Sequence, residues 1–373
     1  NGSYVHTEEL LSVRGKVLGM TIAGVYRSRG TYDGSWGKSW DSLLNSRIQF
    51  IGNDVKWRPG NGREETFLFQ GGGTPFWKSP IGLFLRFTGA SGTYYITFPN
   101  GVKYTYQNNY LQKIQDLNGN NVQFVRDSAG NVFRIVDDLG RICNIYYFNH
   151  KRVAEVEDYT GDSVLFEYNS NGNLTRIIDQ AGLTRRFDYQ VSSPYMMTKA
   201  YDRNDRAYLE NIYATSGSWI NQVTTQKQPA GATAAYGFNY TAQSVGLVVV
   251  TDPNGTARKY SYDAANGYLQ TSVRTCANTS LRDQLANYYW TVIPNEPLDS
   301  VPNWVEAKYD YNLENYLCKR QWIEWCPGNS GGDCPSGVGV LKTPYTWFDY
   351  NSGIQDSASV DPRVFGTLRL TRR

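Results

Sequence analysis

Asp116-Leu-Asn-Gly119, Asp137-Asp-Leu-Gly140, Asp158-Tyr-Thr-Gly161 and Asp179-Gln-Ala-Gly182 open at intervals of 21 residues. Leu111, Val132, Val153 and Leu174 keep the same interval, and so do Ile114, Ile135, Val156 and Ile177. Several independent positions in one register mark an internal repeat. A unit of this length holds two short strands and two turns, too little for a βαβ crossover, so each unit reads as an antiparallel β-hairpin. The glycines at 119, 140, 161 and 182 supply the positive φ of a tight turn. The aspartates that open these turns cap their own backbone amides. Beyond the first turn, Val122, Phe124 and Arg126 project to one side of a strand, and Gln123 and Val125 to the other. A second turn follows at 128–131, and Val132 begins the return strand.

The predicted fold is therefore all-β: antiparallel repeated hairpins in a curved or spiral sheet, almost without helix. A short helix is expected only near 280–289. Equivalent residues of successive hairpins lie two strands apart, roughly 9–10 Å. Tyr147, Tyr168 and Tyr189 then form an aromatic row, which reads as sheet packing before it reads as a ligand platform. One aspartate per repeat does not converge on a calcium ion.

Composition agrees. Of 373 residues, 36 are Gly and 29 are Tyr, against three Met and two His. A hydrophobic content of 40% with a net charge of +3 argues against disorder. That charge spread over this length leaves no electrostatic footprint for nucleic acid. No apolar run is long enough for a membrane-spanning helix.

Five cysteines bear on the compartment. Cys326 and Cys334 flank a loop without bulky residues and read as a disulfide, with Cys276 and Cys318 as a second pair. A metal site is the alternative, but no Cys-x-x-Cys pair or neighbouring His accompanies them. Cys143 is left over, expected buried and inert in a strand. Disulfides imply an oxidising, extracellular setting, in which the sequons at Asn173, Asn239, Asn254 and Asn278 are candidates for glycosylation. No signal peptide is visible, so the chain reads as a mature or trimmed form.

Tyr168-Asn-Ser-Asn-Gly-Asn-Leu-Thr-Arg-Ile-Ile-Asp179, followed by Phe187-Asp-Tyr189, resembles the tyrosine–aspartate (YD) repeat of Rhs proteins. Val25-Tyr-Arg-Ser-Arg-Gly-Thr-Tyr-Asp-Gly-Ser-Trp-Gly-Lys-Ser-Trp40 resembles the segment that precedes those repeats. The resemblance covers about residues 1–275. It implies a hollow β-shell, which in toxin complexes and polymorphic toxins encloses a C-terminal effector and in teneurins stands at the cell surface. About four repeats here are regular. Degenerate units follow near Asp202, near Asp252 with Tyr260-Ser-Tyr-Asp263, and near Tyr309-Asp-Tyr311. The chain divides into a leading region (1–95), a hairpin sheet (96–275) and a C-terminal region rich in Trp and Cys (276–373).

Catalytic signals are weak. His6 and His150 lack a nucleophile partner, and no Walker loop, Gly-x-Ser-x-Gly or His-Glu-x-x-His occurs. No enzyme activity, metal or cofactor is expected. Trp322, Trp325, Tyr345 and Trp347 are candidates for stacking on sugar rings. An open repeat sheet has two edges, which must be capped or paired. The leading functional expectation is an extracellular or cell-surface structural protein that joins head to tail as a homo-oligomeric filament. Val364, Phe365, Leu368 and Leu370 would lie in a strand added to the next copy. The alternatives are an adhesin or carbohydrate-binding module that takes surface glycans, and a shell segment of a larger toxin-delivery protein.

Overall fold

The computed structural model describes residues 2–13, 19–71, 76–80, 83–240, 246–263, 269–276, 302–311, 318–327, 341–342, 346–349 and 369–372. Strands and turns account for nearly all of them, and the one helical element among the described residues is a 3-10 turn at Leu43–Asn45. The all-β, antiparallel hairpin architecture expected from the 21-residue period is what the chain adopts. The helix expected near 280–289 lies outside the described residues. Two compact units are present, 3–223 with 228–231, and 224–227 with 232–373.

In the first unit, β1 (Val5–Val13), β2 (Met20–Arg27), the two-residue strands β3 (Asp33–Gly34) and β4 (Gly37–Lys38), and β5 (Trp40–Ser42) form the leading segment. β1, β2 and β5 make one small sheet, and β3 pairs with β4. The main sheet begins with β6 (Arg47–Ile51), β7 (Asp54–Arg58), β8 (Glu65–Gln70), β9 (Phe76–Lys78), β10 (Arg86–Ala90), β11 (Thr93–Thr97), β12 (Lys103–Gln107) and β13 (Tyr110–Gln115). Each pairs with the next, and Tyr110 of β13 pairs back to Arg47 of β6. These strands thereby close into a ring of the size that side chains alone can fill. Ile48, Val55, Trp57, Phe67, Phe87, Ile96 and Tyr106 fill it, all buried. The ring joins strands on both sides of residue 95.

The repeats follow as β14 (Asn121–Arg126), β15 (Val132–Asp137), β16 (Ile142–Phe148), β17 (Arg152–Glu157), β18 (Ser163–Tyr168), β19 (Leu174–Ile178), β20 (Thr184–Tyr189), β21 (Met197–Tyr201) and β22 (Ala207–Tyr213). The turns obey one rule. The Oδ1 of Asp116, Asp137, Asp158 and Asp179 accepts from the amides two and four places on. The closing glycine takes a left-handed φ, +92° at Gly119 and +75° at Gly182, as in a type I turn that ends in a bulge. Asp205 holds the glycine position in the turn opened by Asp202, at φ 57°.

Pairing within each hairpin skips one residue of the return strand, the one after the repeated Leu/Val position: Phe133, Ala154 and Thr175. Pairing between hairpins stops after three residues, as in Glu155↔Leu165, Val156↔Val164 and Glu157↔Ser163. The strands are therefore zipped at the aspartate turns and splayed at the opposite end. Bulges bend strands and increase twist, so the same wedge recurs with each repeat.

The second unit contains β23 (Val223–Lys227), β24 (Tyr236–Asn239), β25 (Leu247–Thr251), β26 (Ala257–Asp263), β27 (Leu269–Cys276), β28 (Pro302–Tyr311), β29 (Cys318–Pro327), β30 (Leu341–Lys342), β31 (Thr346–Asp349) and β32 (Arg369–Arg372). Here β30 and β31 both pair with β29, and β32 pairs with β31. A register shift falls just before Tyr262 and just before Tyr311, the place it holds before Tyr147, Tyr168 and Tyr189 in the regular repeats. The two degenerate units are thus the same hairpin, with Tyr262 and Tyr311 as the register tyrosines.

Candidate functional site

The wedge leaves a carbonyl unpaired at the splayed end of each repeat, and one side chain per repeat answers it. The hydroxyls of Tyr147, Tyr168 and Tyr189 donate to the carbonyls of Val132 (2.8 Å), Val153 (2.8 Å) and Leu174 (2.6 Å). Each acceptor lies 15 residues back, at the repeated Leu/Val position. Burial pushes all three phenols well above the ordinary range, so they stay protonated donors. In the first repeat the same register place holds Arg126. Its guanidinium reaches the equivalent carbonyl of Leu111 and also those of Gly130 and Leu44. Burial lowers its pKa to about 10. The sequence sets Arg126 on the same side of its strand as Val122 and Phe124; that it replaces a tyrosine was readable from the spacing, 126 being one period before 147.

The leading segment seats on this splayed end. The Ser46 carbonyl accepts from the Leu111 amide (3.1 Å) and the Ser35 carbonyl from the Val153 amide (2.9 Å), two places of the same register. The Lys38 amide donates to Gly172 (3.1 Å). Trp36 and Trp40, both fully buried, pack on Phe166 and Phe187, one period apart, at ring-centroid distances of 4.8 and 5.3 Å. The Trp36 indole donates to Ser42 Oγ, and the Trp40 indole to the Tyr189 hydroxyl. Gly37 sits at φ +101°, where an added Cβ would stand 2.8 Å from the Gly172 carbonyl.

Charged groups hold the segment at its two sides. Asp33 bridges Lys151 and Arg152. Burial works to raise its pKa, but the two cations outweigh it and the carboxyl titrates below its ordinary value. On the other side Glu8 bridges Arg185 and its carboxylate accepts from the His6 Nε2 at 3.0 Å, while the His6 Nδ1 lies 3.1 Å from the Tyr4 hydroxyl. For Glu8, too, burial opposes but His6 and Arg185 win, and the pKa is lowered. Arg185 occupies the register place of Val122, Cys143 and Val164, so a charge stands in an otherwise apolar row and Glu8 compensates it. Asp41, 1% exposed, accepts from Ser42, Asn45 and Gly62; burial raises its pKa against the pull of these bonds and of the Arg58 charge. None of these clusters contains a nucleophile beside a base. No group of three His, Cys, Asp or Glu suited to a metal occurs among the described residues.

The remaining sequence-derived candidates are dispersed. His150 lies exposed in its turn. Cys143 is fully buried, and burial pushes its thiol up to about 11. Cys276 stands opposite Trp304 and Cys318 opposite Tyr311 on two flanks of β28. That places their backbones roughly 23 Å apart along the strand at about 3.3 Å per residue. Cys326 lies in β29 and Cys334 outside the described residues. Asn173 is 1% exposed because its turn faces the leading segment; Asn239 and Asn254 are exposed, and Asn278 lies outside the described residues. By register Trp322 stands opposite Lys308, Trp325 opposite Val305 and Trp347 opposite Arg320; Tyr345 lies outside the described residues. Leu370 pairs with Phe348 of its own chain, so the strand expected to reach another copy is engaged internally on that side. Val364, Phe365 and Leu368 lie outside the described residues. Among the described residues no helix is long and apolar enough to cross a membrane.

Residues 1–67 match the family DUF6531, described as a domain of unknown function. A comparison with curated proteins finds no match. Among solved structures the chain is similar to a Photorhabdus luminescens Tc holotoxin pore at 11% identity and a TM-score of 0.33, over 94% of this chain and 20% of that one. It is similar to a TcdB2-TccC3 crystal structure at 10% identity and a TM-score of 0.36, over 94% and 21%. A porin-like protein from Bacteroides uniformis is similar at 10% identity and a TM-score of 0.20, over 69% and 92%. The chain spans about a fifth of the length of the toxin-complex chains it matches.

Proposed function

We propose that this chain is a non-enzymatic wall segment of an Rhs-type β-shell, working outside the cytoplasm as part of a larger delivery or surface protein. The observation that carries the reading is the seating of the leading segment. A hairpin array with one apolar face must cover that face, and here the chain covers it with its own N-terminal residues through Trp36, Trp40 and the Ser35 and Ser46 carbonyls. Such a sealed first turn suits a scaffold better than a site that must admit substrate. The recurrence of the register shift at Tyr262 and Tyr311 supports a wall built by continuing one rule.

The test is the native product and its gene. Reading frame beyond the codon for Arg373, together with a closed particle in negative-stain microscopy of the purified native protein, is the expected result. Filaments of 42.2-kDa units would replace the wall-segment reading with head-to-tail assembly.

A further inference from the structure

The outer face carries a feature that a wall does not use. After Lys113↔Gln123, β13 leaves β14 and turns to meet β6 at Tyr110↔Arg47. A groove of about 990 Å³ opens there, within the usual size range of small-molecule sites. Across it runs one cross-strand row, in which Tyr95 stands opposite Thr105, Thr105 opposite Lys113, and Lys113 opposite Gln123. At a strand spacing of about 4.8 Å the row is about 15 Å long.

The chemistry of this groove is uneven. The Lys103 ammonium lies 5.5 Å from the Tyr95 ring centroid, and neither Lys103 nor Lys113 has an ion-pair partner among the described residues. Asp127, the carboxylate in the lining, is occupied by the amides of Ala129 and Asn131. Thr105 is 7% exposed, and its hydroxyl oxygen, itself closed off from solvent, has no hydrogen-bond partner among the described residues. A smaller groove of about 450 Å³ lies three periods on, where Thr175, Phe187, Asp188 and Tyr189 replace Gln112, Phe124, Val125 and Arg126. The wedge thus makes grooves in register, and the first combines positive charge with hydroxyl and amide groups.

We propose that the first groove binds an acidic oligosaccharide of about three rings. The groove lies on a sheet face, where the backbone groups of the row are already used in the ladder, so a peptide gains no strand-addition bonds. What remains are an amide, a hydroxyl, phenols and two ammonium groups, which suit sugar hydroxyls and a carboxylate or sulfate.

The experiment applies the full chain to a panel of oligo-uronic, sialylated and sulfated glycans, with neutral oligosaccharides and tetraglutamate as comparisons. Acidic glycans are expected to bind, more weakly as salt is raised. Lys113→Gln and Lys103→Gln are each expected to lower affinity at least about tenfold, as loss of a charge-assisted contact would, and Lys56→Gln, an exposed lysine outside the groove, to leave it unchanged. The proposal is overturned if no acidic glycan binds, if tetraglutamate binds as well as the best glycan, or if the two groove variants bind like the parent.

Discussion

Tyr147, Tyr168 and Tyr189 are better understood through their hydroxyls than through their rings. An aromatic row was legible from the spacing, and packing was the natural reading of it. The wedge was not legible, because a stop in backbone pairing has no residue signature, and it is the wedge that gives each hydroxyl its acceptor. Tyr168→Phe keeps the ring and leaves the buried Val153 carbonyl unanswered, which costs about 1–3 kcal/mol. Denaturant unfolding followed by tryptophan fluorescence checks this, with Tyr146→Phe, whose hydroxyl bonds Glu157 on the outer face, expected to leave stability unchanged. Equal effects of the two would refute the brace. A second residue-scale prediction concerns Glu8. Its folded pKa lies below the ordinary 4.5, so its ion pair contributes stability that is fully present above that value and is lost as pH falls through the lower folded value. Glu8→Gln is therefore expected to destabilise the protein at pH 7, with the difference from the parent vanishing in strong acid. A difference that grows on acidification contradicts this. Asp41 has the opposite sign: its raised pKa makes its ionised form a burden that acidification relieves.

At the scale of elements, the repeats were readable and the leading segment's position was not, for one physical reason. Hairpin turns and alternating strands are local, so Asp116-Leu-Asn-Gly119 and its three copies announce themselves. The leading segment has no period, and its partners lie far along the chain: Ser35 meets Val153, Lys38 meets Gly172, and Glu8 meets Arg185. Only Gly37 hints at the contact, and glycine between Trp36 and Lys38 has many readings in sequence alone. Its role now gives a test. Gly37→Ala both forces an L-residue to φ +101° and drives a Cβ to 2.8 Å from the Gly172 carbonyl. Gly140→Ala meets nothing within 4 Å and bears only the cost of φ +77°, about 1 kcal/mol. The first variant is expected to lose clearly more stability than the second, and to raise hydrogen exchange at the Val153 amide. If the two variants unfold at the same denaturant concentration, the segment is not held at Gly37.

For the whole molecule, the sequence suggested boundaries near 95 and 275, where tryptophan content changes. The two compact units change over at 223/224, because a compact unit follows contacts rather than composition. Ile48, Trp57 and Phe67 from one side of residue 95 share a core with Ile96, Tyr106 and Leu111 from the other. The leading segment adds Trp36 and Trp40 to the repeats' apolar face. A unit that buries its face with its own chain, and whose sheet begins in a closed ring, should fold without the remainder. Residues 1–231 expressed alone are therefore expected to unfold in one cooperative transition, with blue-shifted emission from Trp36, Trp40 and Trp57. Residues 47–231, which lack the leading segment, would expose Phe166, Phe187 and the amides that Ser35 and Ser46 now answer, and are expected to aggregate or unfold without cooperativity. A cooperative transition of equal midpoint in the shorter piece would show that the leading segment is an ornament on the wall, and the sealing role argued for it would fall with that result.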